Sequence, residues 1–232
     1  MHSLKLGLIL SALVLASCQH SRPEDTLYQV STAHALSKGH YDGITTYKDI
    51  QAQGNFGIGT YHKVNGEMVA VDGQFFQISS DGTVQKTRPE QVAPYATVHK
   101  FSSNKTVELG SSQDYADLRQ QLSTHIENKE QIYGIKIKAV CKRITLRAPK
   151  AQSKPYPPLA DVIATQSIFE HENISGTLVG YYVPKYFGNI IIPGYHLHFI
   201  SDHHTVGGHV LDLALMDGRL DLDPIHKITV SQ

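Results

Sequence analysis

Residues 133–146 read YGIKIKAVCKRITL. Ile135 and Ile137 alternate with Lys136 and Lys138, and the alternation continues to Leu146. Successive side chains of a strand point to opposite faces, so this run predicts one long strand with one face buried. Upstream, Tyr115, Leu118, Leu122 and Ile126 fall three or four apart, which predicts a helix opened by the residues from Ser112. Downstream, Pro155, Pro157 and Pro158 break the strand, and Pro158 suits the start of a helix over 159–165. Further strands are expected at 174–183, 190–192, 195–201 and 210–216, the last two joined by a loop over 202–208. Nearer the N-terminus, residues 27–30 alternate as a strand, and Ser31 could cap a short helix stopped by Gly39. Residues 55–87 predict a β-meander. Its first hairpin turns at Asn65-Gly66, a strong two-residue turn signal, and a later one at Ser80-Asp81-Gly82. The pattern predicts a β-rich α+β fold.

The chain has 232 residues, 41% apolar and 18% charged, enough for a real core and too apolar for general disorder. Lys plus Arg equals Asp plus Glu at 21 each, so no basic stripe is offered and nucleic acid is excluded as a partner. Fourteen histidines are many for this length. Residues 1–17 read as an export signal, because Lys5 precedes the apolar run LGLILSALVLA at 6–16, which is short for a bilayer span. The run ends in Leu15-Ala16-Ser17-Cys18, which resembles a bacterial lipobox. That resemblance implies lipidation of Cys18, a polar tether over 18–26 and a domain over 27–232. The protein is then expected in the bacterial cell envelope, touching membrane only through its lipid anchor. Cys141 is left unpaired and reads as a small buried hydrophobe.

Gly194-Tyr195-His196-Leu197-His198-Phe199-Ile200 carries the chemistry. On a strand His196 and His198 share a face, while Leu197 and Phe199 take the other. His209 follows a turn containing Gly207-Gly208, and an antiparallel hairpin can set it opposite the pair. Three imidazoles would leave positions of a zinc ion open to water or substrate, the pattern of a catalytic site. Cobalt, manganese or iron would also fit this ligand type. Spacing alone leaves open that the histidines are exposed strand residues.

The stretch from Gly194 to Asp202, followed by Gly207-Gly208-His209-Val210-Leu211-Asp212, resembles the acetolactate decarboxylase family. So do Gly57-Ile58-Gly59-Thr60, Gly66-Glu67-Met68-Val69-Ala70-Val71-Asp72-Gly73, Leu146-Arg147-Ala148-Pro149, Lys154-Pro155-Tyr156-Pro157-Pro158-Leu159 and Gly176-Thr177-Leu178-Val179-Gly180. The resemblance spans residues 27–228 in order. It implies a mixed N-terminal sheet, a C-terminal β-barrel-like subdomain carrying the metal site, and a homodimer. It also implies conversion of 2-acetolactate to acetoin and carbon dioxide, with His196, His198 and His209 as zinc ligands. Glu67 and Arg147 would lie in the active site and Thr60 would line the pocket. The chemistry is consistent with these types. Decarboxylation leaves an electron pair that needs a Lewis acid, the carboxylate suits a guanidinium, and the product carbon needs a positioned acid. By residue type alone, Glu67 reads also as a solvated residue beside a turn, Arg147 as an exposed strand-end charge and Thr60 as an ordinary strand residue.

Two departures stand out. Family members continue past the point matched by Ile228 and bring a second active-site glutamate, whereas no glutamate follows His209 in this sequence. His203-His204 replaces an acid and an arginine common in relatives. The competing expectation is therefore a catalytically weak, metal-binding lipoprotein of the same fold.

Overall fold

The computed structural model describes residues 26–232. The export signal, Cys18 and all of the tether except Thr26 lie outside the described residues. In chain order the elements are β1 (Thr26–Val30), α1 (Ala33–Ser37), β2 (Thr45–Thr46), α2 (Tyr47–Gln53), β3 (Phe56–Thr60), β4 (Glu67–Val71), β5 (Gln74–Ile78) and β6 (Val84–Lys86). Then come β7 (Val92–Ala93), β8 (Tyr95–His99), β9 (Lys105–Leu109), α3 (Tyr115–His125), β10 (Ile132–Ala148) and α4 (Leu159–Ala164). The chain ends with β11 (Ser167–Val183), β12 (Gly194–Ser201), β13 (Gly207–Ile225) and β14 (Lys227–Ser231). Among the described residues no helix is long and apolar enough to cross a membrane.

The strands form a β-rich α+β fold. The first large sheet has the order β14-β1-β8-β3-β4-β5-β6 and is mixed, because β1 pairs with β14 in parallel while its other ladders run antiparallel. Its N-terminal strands thus take their edge partner from the end of the chain. The expected meander is present as β3 to β6. The second sheet has the order β10-β11-β12-β13-β9, with a further ladder between β10 and β13. The long alternating strand is β10, which pairs along its length with β11 on one edge and β13 on the other.

Alternation sorts the side chains into separate cores. Leu197 and Phe199 of β12 enter the core inside the second sheet, with Ile135, Ile137 and Cys141 of β10 and Leu118 and Leu122 of α3. Each such buried side chain contributes about 1.5–3 kcal/mol. Ile200 of β12 faces the other way, between the sheets, with Ile58 of β3, Val69 of β4 and Val179 of β11. A third cluster, including Met68, Ala70 and Ile50, covers the far face of the first sheet beneath α2. Cys141 is buried and free, as expected.

Several local expectations need correction. Asn65-Gly66 does not form a two-residue turn. A 3-10 turn at His62–Val64 intervenes, and Lys63 and Val64 both take positive φ. Gly66 is needed for close approach instead, since a Cβ there would lie 2.1 Å from the Ile78 carbonyl oxygen. Residues 190–192 are not a strand. The amides of Ile190 and Ile191 bond back to Phe187, and the Ile190 carbonyl accepts from Ala33 of α1, so no ladder remains for them. Thr32 rather than Ser31 caps α1, while Asp114, within the stretch expected to open it, caps α3. β11 and β13 are longer than periodicity indicated, and Thr26 belongs to β1 rather than to a tether.

Candidate metal centre

Thr60 ends β3 and Glu67 opens β4, and the two are cross-strand partners. Each lies two residues from Ile58 or Val69, whose side chains pack between the sheets, so Thr60 and Glu67 share that face and look towards the second sheet. From that sheet, His196 and His198 alternate with Leu197 and Phe199 and face back. His198 and His209 are direct partners in the β12–β13 ladder, and Arg147 of β10 is partner to His209 on the other edge of β13. Pairing therefore sets Arg147, His209 and His198 side by side in the second sheet, with His196 two residues along β12, and sets Thr60 beside Glu67 in the first. Thr60 donates to the Gly66 carbonyl at 2.6 Å, which ties β3 to the turn before Glu67.

The imidazoles converge. One ligand atom from each of His196, His198 and His209 lies within 4.8 Å of the others. His196 Nε2 and His209 Nδ1 are 3.0 Å apart. His198 Nδ1 lies 2.8 Å from the Met68 carbonyl oxygen, so that nitrogen donates and Nε2 carries the lone pair. His198 is 1% exposed, and among the described residues its Nε2 has no hydrogen-bond partner. Burial, first, holds His196 down to about 3, with the Arg147 charge adding to it. Burial also holds His198 and His209 well below the usual imidazole value, helped by their neighbours. All three imidazoles are thus neutral, the form that ligates metal. A cluster of neutral rings around an orphaned lone pair fits a divalent cation.

Glu67 is not solvated. It is 7% exposed, with one carboxylate oxygen 3.6 Å from His198 Nε2 and the other 3.9 Å from Arg147 Nη1. Burial pushes its carboxyl up to about 7, against the pull of the Arg147 charge. Arg147 is largely buried, and its Nη1 donates to Gln166 Oε1 at 2.7 Å. A small cavity of about 50 Å³ opens between these groups. Thr60, Glu67, Arg147, His196 and His198 form its polar part, and Leu36, Val64, Tyr95, Leu159, Ile163 and Ile192 its apolar part. At roughly 10–15 Å³ per water, that space suits a small polar molecule rather than a polymer. Sequence reasoning missed Gln166 and the apolar wall. Gln166 precedes a strand with no pattern to mark it, and Ile192 looked like a strand residue.

A small cavity that gathers a carboxyl, a guanidinium and imidazoles where two sheets face each other has the make-up of a small-molecule enzyme site. A family model described as alpha-acetolactate decarboxylase matches residues 27–232. An alpha-acetolactate decarboxylase from Methanosarcina mazei is 42% identical over 199 residues, covering 86% of this chain and 69% of that one. One from Brevibacillus brevis is 37% identical over 208 residues, covering 90% and 73%. The crystal structure of alpha-acetolactate decarboxylase from Bacillus subtilis strain 168 superposes with a TM-score of 0.86 at 32% identity, covering 89% of this chain and 88% of that one. The chain belongs to the alpha-acetolactate decarboxylase family. It is a carboxy-lyase that decarboxylates acetolactate.

Proposed function

We propose that this decarboxylase works with a divalent metal ion, zinc as the family resemblance implies, held by His196, His198 and His209, and releases acetoin. The observation that carries this is the buried, partnerless Nε2 of His198, fixed in its tautomer by Met68 and aimed at two further neutral imidazoles. When bound there, the ion supplies the Lewis acid for the electron pair left by the departing carbon dioxide. The chain's own residues do the rest. The Arg147 guanidinium, always charged, takes the substrate carboxylate and orients the bond that breaks. The pair from that bond stays on the hydroxyl-bearing carbon, which must gain one proton to become acetoin. Glu67, between His198 and Arg147, is positioned to deliver it. Thr60 helps to shape the floor, and the wall of Leu36, Leu159, Ile163 and Ile192 excludes water around the alkyl groups.

The test uses purified protein loaded with zinc and given racemic 2-acetolactate. Acetoin should form with one zinc per chain. His198→Ala should lose both metal and activity, and Glu67→Gln should keep the metal while activity falls roughly 10²–10⁴-fold. Stoichiometric zinc without acetoin above the spontaneous background would overturn the reading, as would full activity in the metal-free protein. We further propose that Cys18 carries lipid and anchors the domain, as a homodimer, at the cell envelope. Membrane fractionation of a Cys18→Ala variant tests the anchor, and light scattering of the soluble domain tests the dimer.

A further inference from the structure

We propose that Gln166 is a positioning residue for Arg147, holding the guanidinium for a carboxylate without cancelling its charge. This rests on the reading that Arg147 takes the substrate carboxylate. Among the described residues, the only hydrogen bond of the guanidinium runs from Nη1 to Gln166 Oε1, at 2.7 Å. The nearest acidic side chain, Glu67, lies 3.9 Å from that same Nη1. Both contacts therefore engage one corner of the fork. The edge formed by Nε and Nη2 is left for the bidentate geometry that carboxylates prefer.

Gln166 is itself held in place. Its backbone amide bonds to the Ile163 carbonyl at the end of α4, and it directly precedes β11. Arg147 sits at the end of β10, opposite Ile168 of β11. The side chain of Gln166 thus bridges a short connection between α4, whose Leu159 and Ile163 line the cavity, and the strand beside Arg147. A glutamate could accept the same hydrogen bond. Together with Glu67 it would set two carboxylates against one guanidinium and leave little positive field for an anionic substrate. A neutral acceptor orients the group and preserves that field.

The test compares Gln166→Leu, Gln166→Glu, Arg147→Ala and the Gln166→Leu/Arg147→Ala pair as zinc-loaded enzymes. Inhibition by lactate, which has a carboxylate, and by acetoin, which has none, is measured beside kcat and KM. Gln166→Leu should lower kcat/KM roughly tenfold, the size of one hydrogen bond to a charged group. It should weaken lactate while leaving acetoin and zinc content unchanged. Gln166→Glu should raise KM more than it lowers kcat. In the Arg147→Ala background Gln166→Leu should add nothing, because its only route is then gone. A large loss in Arg147→Ala with an unchanged Gln166→Leu would overturn the role of Gln166 and keep that of Arg147. Equal weakening of lactate and acetoin, or an additive double variant, would reduce Gln166 to a structural residue. An unchanged Arg147→Ala would sink the carboxylate reading beneath it.

Discussion

Gly180→Ala should dismantle the metal centre without touching a ligand. Gly180 of β11 is partner to Leu197 of β12, and a Cβ there would lie 1.9 Å from the His196 carbonyl oxygen. Ordinary contact begins near 3.4 Å, so β12 must retreat by about 1.5 Å at that point. The obstacle is backbone, which has no rotamer to change. Relief must come from the ladder that carries His196 and His198, while His209 stays with β13. Overpacking of this kind costs about 1–3 kcal/mol. For a domain of this size that is a fall in Tm of roughly 2–12 °C in the metal-free protein. A misplacement near 1 Å at a reacting centre costs about 10²-fold in rate, and ligands parted by more should also bind zinc weakly. Gly110→Ala is the control, since a Cβ at Gly110 meets nothing within 4 Å. Zinc content by mass spectrometry, acetoin formation and thermal unfolding should separate the two variants. A Gly180→Ala enzyme with wild-type zinc affinity and turnover would refute the claim that this glycine sets the spacing of β11 and β12.

The hydroxyl of Tyr41 is buried without a hydrogen-bond partner among the described residues, so Tyr41→Phe should raise stability by about 1 kcal/mol in urea titration; a loss would mean that the hydroxyl is satisfied in solution. His99 is fully buried and bonded to Tyr181 and Asp223, and burial holds it below its ordinary value of 6.5 against the pull of Asp223. Folded His99 then stays neutral where the unfolded chain takes a proton. Its contribution is complete above about pH 6.5 and is lost as pH falls towards the folded value. The urea midpoint of the metal-free protein should drop more between pH 8 and pH 5 than that of His99→Gln, and parallel curves would contradict the shift.

The fold was legible where a pattern is local. Residues 133–146 announce β10 because alternation needs no knowledge of the partner strand. The helix face of Tyr115, Leu118 and Leu122 does the same for α3. What failed depends on partners far along the chain. Asn65-Gly66 has the composition of a tight turn, yet Gly66 packs against Ile78 and its amide bonds to Pro149, contacts that a window around residue 65 does not contain. Ile190 to Ile192 have strand composition, but their amides go to the Phe187 carbonyl and the Tyr95 hydroxyl, and the Ile190 carbonyl goes to Ala33 of α1. The mixed character of the first sheet rests on β1 meeting β14, from opposite ends of the sequence.

The site repeats that division on a smaller scale. His196, His198 and His209 were legible because one hairpin contains them, and the β12–β13 ladder sets His198 beside His209 as spacing indicated. Glu67 was not, because it belongs to the other sheet, whose ladders never touch that hairpin, and it is buried only where the two sheets face each other. At the site the sheets are linked by the Met68 carbonyl, which accepts from His198 Nδ1 across 130 residues of sequence. The carbonyl belongs to backbone, so no residue type signals it. Its position is set instead by β4, whose Met68 and Ala70 side chains are packed beneath α2 on the far face of the first sheet. The tautomer of His198, and with it the lone pair offered to a cation, therefore depends on the packing between the two sheets. Any change that lets the sheets slip should weaken metal binding before it unfolds either one.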